Sequence, residues 1–309
     1  MTSMTAALRI IVDAGSPGGR TVSVAESLQA ALIDEGVKHH VDFARSLKEV
    51  GRRAAAAVRD DERRVVVVGA DKAACEAASH LCGTAVALGF VDADGESALA
   101  ESLRLPADLR RLVHVLARGH PSVIDALDAG GRFALFGINI GYDADRIARL
   151  MRPGLLRGSV KRYAAELSAV RRRASLPVSV RLDEEIETEG EYAAVVVGNT
   201  ALLPHASSLT PLADPGDGRL DLCLIENRKT RDVRRLTRLA RTGEHTAHDG
   251  VALFRAKSVR VKIGVPFSCR IDSMEWKSPP QRMTISVRKE RLHVLAPEEF
   301  SKRPRLSSS

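Results

Sequence analysis

The stretch Val65-Val66-Val67-Val68-Gly69-Ala70-Asp71-Lys72-Ala73 decides the fold of this chain. Four β-branched residues in a row predict a strand buried on both faces, and the alanine-rich run 73–80 behind them predicts a helix. The turn between such elements sets backbone N–H groups at a helix start, where phosphates are commonly bound. Glycines let a phosphate approach that backbone, and here Gly69 stands beside Asp71 and the bulky Lys72.

On either side of this unit, strand-like and helix-like stretches alternate. Strands are predicted at 8–13, 40–43, 64–68 and 84–90, with helices at 21–35, 47–58, 96–103 and 107–117. That alternation predicts an N-terminal Rossmann-like parallel α/β domain over residues 1–121. After Gly119-His120-Pro121 the texture changes to β runs at 123–127, 132–140, 176–181, 192–198, 220–225, 258–263 and 283–287. They predict a mainly antiparallel C-terminal β-sandwich over 122–288, interrupted by helices at 155–172 and 231–241. Residues 289–300 are expected to return to the first domain, and the polar stretch 301–309 to be a disordered tail.

With 309 residues and 44% hydrophobic content the chain can bury two ordinary cores. No apolar run approaches the roughly 18 residues that span a bilayer, and the start carries no signal-peptide pattern. A cytoplasmic protein is therefore expected. Cys75, Cys82, Cys223 and Cys269 are scattered without zinc-ligand spacing and read as buried free thiols. The formal net charge of +8 suits an anionic partner or a solvated basic surface. Aromatic content of 4% removes the stacking platforms of single-stranded nucleic-acid binders, so no nucleic-acid partner is expected.

Several segments, in order, carry a resemblance to a known family. Asp13-Ala14-Gly15-Ser16-Pro17-Gly18-Gly19 is similar to the N-P-x-S-G-x-G turn of bacterial diacylglycerol kinase-like lipid kinases. Gly69-Ala70-Asp71-Lys72-Ala73-Ala74-Cys75-Glu76 resembles that family's G-G-D-G-T-x-x-E, and Leu103-Arg104-Leu105-Pro106 its L-G-L-P. Counting back sets Asp94-Gly95-Glu96-Ser97-Ala98 against G-T-x-N-D. Ile138-Asn139-Ile140-Gly141-Tyr142-Asp143-Ala144, Gly198-Asn199 and Asp217-Gly218-Arg219-Leu220-Asp221 resemble G-x-G-F-D-A, G-N and D-G-x-L-D. The resemblance implies an NAD kinase/diacylglycerol kinase-like fold, with ATP and a lipid received between the two domains.

It also implies roles for individual residues. Asp13, Ser16, Gly69, Ala70, Lys72, Glu76, Gly95 and Ser97 fall at nucleotide-binding positions, with Asp71 contributing to the metal and water network. Ala70, Lys72 and Ala73 replace Gly, Gly and Thr, so Lys72 either blocks the phosphate or pairs with it. The plainer alternative is a turn in which Asp71 caps its own helix. In the second motif the Asp is lost, while Asp92, Asp94 and Glu96 crowd the stretch with carboxylates; a helix start capped by Asp94 is the simpler reading.

The family's D-G-E, associated with activating the lipid hydroxyl, corresponds to Ile271-Asp272-Ser273-Met274-Glu275. Asp272 stays in place and is the base candidate, or else a turn residue. Glu275 is displaced by one position, which on a strand turns it to the other face. Asp214-Pro215-Gly216-Asp217-Gly218-Arg219 resembles a loop that holds Mg²⁺, with Asp217 as carboxylate ligand and the carbonyls of Asp214 and Arg219 beside it; an ordinary turn is the alternative.

The helix 231–241 carries five arginines around an apolar stripe, which suits either peripheral contact with an anionic membrane or burial of the stripe in its own domain. Taken together, the resemblance implies an ATP- and Mg²⁺-dependent kinase acting on a lipid hydroxyl. The eroded glycines and lost acid keep a second reading open: a pseudokinase that binds lipid or nucleotide without transferring phosphate. An NAD kinase relative is the third.

Overall fold

The computed structural model describes residues 7–16, 19–141, 175–204, 208–227, 235–236, 239–240 and 242–301. Contacts divide the chain into two compact units, Met1–Ala126 with Lys289–Ser309, and Leu127–Arg288. Strand Pro121–Ile124 (β5) belongs to the first unit, although the change in sequence texture had assigned most of it to the second.

In the first unit, strands β1 (Leu8–Asp13), β2 (His39–Ala44), β3 (Arg64–Gly69) and β4 (Ala87–Asp92) run parallel. The strand Leu292–Leu295 (β17) returns from the far end of the chain, parallel to β4 and antiparallel to β5, giving the order β2-β1-β3-β4-β17-β5. Val65 to Val68 are all buried, as a central strand covered on both faces requires.

On one face, α1 (Arg20–Asp34) and α5 (Leu109–Arg118) bury Ala25, Leu28, Leu32, Leu112 and Leu116 against Leu8, Ile10, Val12, Val66 and Val68. On the other, α2 (Leu47–Arg59) packs against α3 (Asp71–Leu81) through small residues. Gly51 lets the side-chain ends of α3 come close: a side-chain carbon on it would lie 2.5 Å from Glu76 Oε1 and 2.6 Å from His80 Nε2, so those two ends would have to move aside. A short helix α4 (Ala98–Ser102) follows β4.

Among the described residues, the second unit is an antiparallel sheet of eleven strands built around one core. Its centre is the long β10 (Ile186–Gly198), whose first half pairs with β9 (Leu176–Leu182). The second half pairs with β8 (Gly137–Gly141) and β11 (Leu220–Glu226) after a register shift between Tyr192 and Ala194. β9 continues into β13 (Ser258–Ile263), β16 (Arg282–Val287), β6 (Leu127–Ala129) and β7 (Arg132–Ala134).

At the other side, β8 continues into β14 (Cys269–Ile271) and β15 (Met274–Glu275), and β11 into β12 (Val251–Ala256). Both halves contribute to one apolar cluster, from Val180 and Val261 to Ile140 and Leu222, so the sheet folds over on itself as a sandwich.

The predicted strand 132–140 is two strands, broken at Leu135 and Phe136. The predicted helices 155–172 and most of 231–241, the motif residues Pro17, Gly18, Tyr142, Asp143 and Ala144, and the tail beyond Ser301 lie outside the described residues. None of the four cysteines forms a disulfide; Cys75, Cys223 and Cys269 are buried and Cys82 is half-buried. Among the described residues, no helix is long and apolar enough to cross a membrane.

Candidate functional site

In the first sheet, β1 lies between β2 and β3, so the chain leaves β1 toward one side and returns on the other. The carboxyl ends of β1 and β3 therefore flank a topological switch point, the usual ligand site of open α/β sheets. Helices α1 and α3 begin just after those strand ends. Neither has a side-chain cap: α1 starts behind Gly19 at φ 67°, and α3 behind Ala70. By contrast Ser46 caps α2, Ser97 caps α4 and Asp108 caps α5. The Val22 and Ala73 N–H groups turn back to the Gly19 and Ala70 carbonyls, and the two helices at the switch point keep their first two N–H groups and the positive end of the helix dipole for an outside acceptor.

Two cations stand at these helix starts. Lys72, second residue of α3, is half-buried, and Arg20 opens α1; neither makes a hydrogen bond or ion pair with another described residue. Arg20 reaches the loop after β4, where a side-chain carbon on Gly95 (φ 79°) would lie 3.7 Å from its Nη2. At the end of β1, Asp13 is buried and accepts the Ser16 hydroxyl at 2.7 Å. Gly69 is wedged beside it: a Cβ there would stand 3.1 Å from Asp13 Cβ and 3.2 Å from Ala73 Cβ. Gly69 is thus tightly packed, while Asp13 adds a buried carboxylate where an anion would come.

Asp71 does not cap its own helix. It is the first residue of α3, and its carboxylate crosses to the start of α4, accepting the Ser97 hydroxyl and the N–H groups of Ala98 (3.0 Å) and Leu99 (3.3 Å). Burial raises its carboxyl above the ordinary value; those three donors pull it down, and the charge of Asp92 pushes it up again. Nor does Asp94 cap α4. Ser97 does, accepting from Ala100 N at 3.0 Å, while Asp92 receives the N–H groups of Asp94 (2.8 Å) and Ser97 (3.0 Å). Glu76 sits apart, in the packing of α3 on α2, with Oε1 3.6 Å from His80 Nε2.

In the second unit, Asp272 turns the hairpin between β14 and β15, with φ 51°. It is 7% exposed, and its carboxylate accepts three consecutive amides: Leu135 (3.0 Å), Phe136 (2.8 Å) and Gly137 (3.1 Å). Its own N–H donates to Gly137 O at 2.9 Å. This clamp holds the break between β7 and β8. A carboxylate so occupied is poorly placed to take a proton from a substrate. Glu275 lies across the hairpin opposite Arg270 rather than further along one strand, which corrects the expectation of a simple change of face.

The loop before β11 brings Asp214, Asp217 and Arg219 together. Asp214 Oδ1 accepts Gly216 N at 3.0 Å, and Asp217 Oδ1 accepts Arg219 N at 2.8 Å. The other oxygen of Asp217 is paired with the guanidinium of Arg255. Arg255 Nε also lies 3.8 Å from Asp221 Oδ1, while Asp221 Oδ2 is buried with no hydrogen-bond partner among the described residues. Burial pushes the Asp221 carboxyl up to about 6, against the pull of Arg255 and with a further push from Asp217 and Asp214. Among the described residues no group of three or more His, Cys, Asp or Glu side chains is arranged to hold a metal ion.

Sequence reasoning missed Arg20 and Arg255. Arg20 was legible as a cation following a glycine turn at a helix start. Arg255 becomes visible once 251–256 is recognised as a strand beside β11, with Arg255 opposite Asp221.

Comparison with known proteins agrees with this architecture. The family described as the YegS C-terminal NAD kinase beta sandwich-like domain matches residues 137–296, more than half of the chain. A diacylglycerol kinase of Mycobacterium tuberculosis (strain H37Rv) is 27% identical over 253 residues, 79% of this chain and 81% of that protein. A diacylglycerol kinase of Staphylococcus saprophyticus is 22% identical over 188 residues, 60% of this chain and 61% of the relative. Among solved structures, a putative diacylglycerol kinase from Bacillus anthracis str. Sterne superposes with a TM-score of 0.72 at 16% identity, covering 97% of this chain and all of that one. An NAD kinase from Archaeoglobus fulgidus in complex with ATP gives a TM-score of 0.53 at 10% identity, covering 95% and 94%.

Proposed function

The chain belongs to the family of the YegS C-terminal NAD kinase beta sandwich-like domain, within the diacylglycerol kinase and NAD kinase-like proteins, and from that membership we propose that it binds nucleotide phosphate with phosphoryl transfer lost or severely impaired. The observation that carries the reading is the pair of uncapped helix starts at the switch point, each bearing a cation, Arg20 and Lys72, that has no partner among the described residues. ATP suits such a site: first-turn N–H groups of α1 and α3 and the two side-chain charges would hold its phosphates, while buried Asp13 limits how strongly.

Catalysis makes further demands. Phosphoryl transfer needs the acceptor hydroxyl deprotonated and the phosphate charge neutralised, and positioned carboxylates with Mg²⁺ commonly supply both. Asp71 spends its oxygens on the α4 start, and Asp272 spends its own on the 135–137 amides. Those residues fit Mg²⁺ poorly, because three of the roughly four lone-pair sites of each carboxylate already accept hydrogen bonds, which leaves little for a hard cation.

The lipid acceptor and contact with an anionic membrane surface belong to the same proposal. Phosphorylation of diacylglycerol in mixed vesicles with Mg²⁺ and ATP is the test. Transfer at or below the background rate fits the pseudokinase reading; sustained turnover that is lost on Asp272→Asn, with the fold intact, overturns it in favour of an active lipid kinase.

A further inference from the structure

The loop Asp214 to Asp221 resembles one that holds a divalent cation, yet here a cation of the chain itself, Arg255, stands against its carboxylates. Antiparallel pairing of β11 and β12 sets Arg255 directly opposite Asp221, so the two side chains share a face of the sheet. From there the guanidinium reaches Asp217, which also receives the Arg219 N–H at 2.8 Å. Both oxygens of Asp217 are therefore accepting hydrogen bonds. The Asp214 carbonyl, a second candidate ligand, accepts the Asp217 N–H at 3.3 Å, and Asp214 Oδ1 accepts Gly216 N.

A divalent ion such as Mg²⁺ or Ca²⁺ needs about six to eight oxygens with lone pairs turned toward it. It would also lie beside the Arg255 guanidinium, and two positive charges repel. We propose that Arg255 is a built-in replacement for the cation, holding the Asp217 loop against β11 and β12 so that this member folds independently of divalent metal. The inference does not rest on the nucleotide reading, since it concerns one loop and one strand pair within the second unit.

The test uses the full chain without nucleotide. Thermal unfolding is followed in EDTA and then in millimolar Mg²⁺ or Ca²⁺, for the wild type and for Arg255→Gln. The wild-type midpoint should be the same in all three conditions. The variant should unfold several degrees lower in EDTA and regain most of that loss when either cation is added, because the carboxylates the guanidinium neutralised are then open to an ion. A wild-type midpoint that drops in EDTA and is restored by the cations overturns the proposal. So does a variant as indifferent to cations as the wild type. Should Arg255→Gln fail to fold, calorimetric titration of Mg²⁺ and of Ca²⁺ into the metal-free wild type decides: no saturable heat supports the replacement, and saturable heat abolished by Asp217→Asn refutes it.

Discussion

Replacing Asp272 by Asn separates a clamp from a catalytic base. Asn tolerates the left-handed φ of 51° at this turn, so the backbone is left undisturbed and the change falls on the carboxylate. The Asn oxygen can keep the Phe136 and Gly137 amides, but both bonds go from charged to neutral, a loss of about 1 kcal/mol each. Its NH₂ then faces the Leu135 N–H, two donors in a buried site, at about 1–3 kcal/mol. The sum is about 3–5 kcal/mol, a large part of the ~5–15 kcal/mol stability of an ordinary domain. With a urea slope of ~2 kcal/mol/M, the unfolding midpoint should fall by about 1.5–2.5 M. Urea titration by circular dichroism measures it. A midpoint within about 0.3 M of the wild type would refute the clamp and return Asp272 to consideration as a base.

Three further expectations follow from the same geometry. Ser97→Ala removes both the α4 cap and a donor to Asp71, and should cost about 1–2 kcal/mol, read as faster amide exchange at residues 98–102. Asp221→Asn should stabilise the protein by about 1–2 kcal/mol at pH 7, because it removes a buried charge whose second oxygen has no hydrogen-bond partner among the described residues. The folded carboxyl is raised from 3.8 to about 6, so its proton-linked stability is full below pH 3.8 and lost as pH rises through about 6; the gain should vanish below about pH 4. His245, fully buried, places Nε2 3.1 Å from the Leu209 carbonyl, while Nδ1 has no partner, and burial lowers its pKa from 6.5. The unfolded chain then binds a proton that the fold refuses, so unfolding scans should show stability falling below pH 6.5 in the wild type and a shallower decline in His245→Gln.

Much of the fold was legible because strongly patterned segments have one reading. The run Val65 to Val68 is buried on both faces, and α1, α2 and α3 lie within two residues of their predicted bounds, wherever apolar spacing is regular. What escaped was short or depended on distant partners. Strands β12, β14 and β17 are three to six residues long, and β17 gains its identity from β4 and β5, some two hundred residues away in sequence. The break at Leu135 was hidden because its cause, Asp272, lies 137 residues downstream.

The candidate site was legible by position and not by orientation. Asp71 and Asp272 occupy their motif places, but sequence does not say which way a carboxylate turns. Ser97, Ala98 and Leu99 draw one, and three consecutive amides draw the other. Arg255 escaped for the same reason as its strand.

The central claim, that uncapped helix starts with Lys72 and Arg20 still hold nucleotide phosphate, is tested most directly by equilibrium titration of the full chain with ATP and Mg²⁺. Wild type should bind saturably at sub-millimolar to millimolar nucleotide, with affinity falling about three- to tenfold in Lys72→Ala and again in the Lys72→Ala/Arg20→Ala pair, as about 1 kcal/mol per phosphate contact requires. No saturable binding by the wild type, or binding that both substitutions leave unchanged, would contradict it.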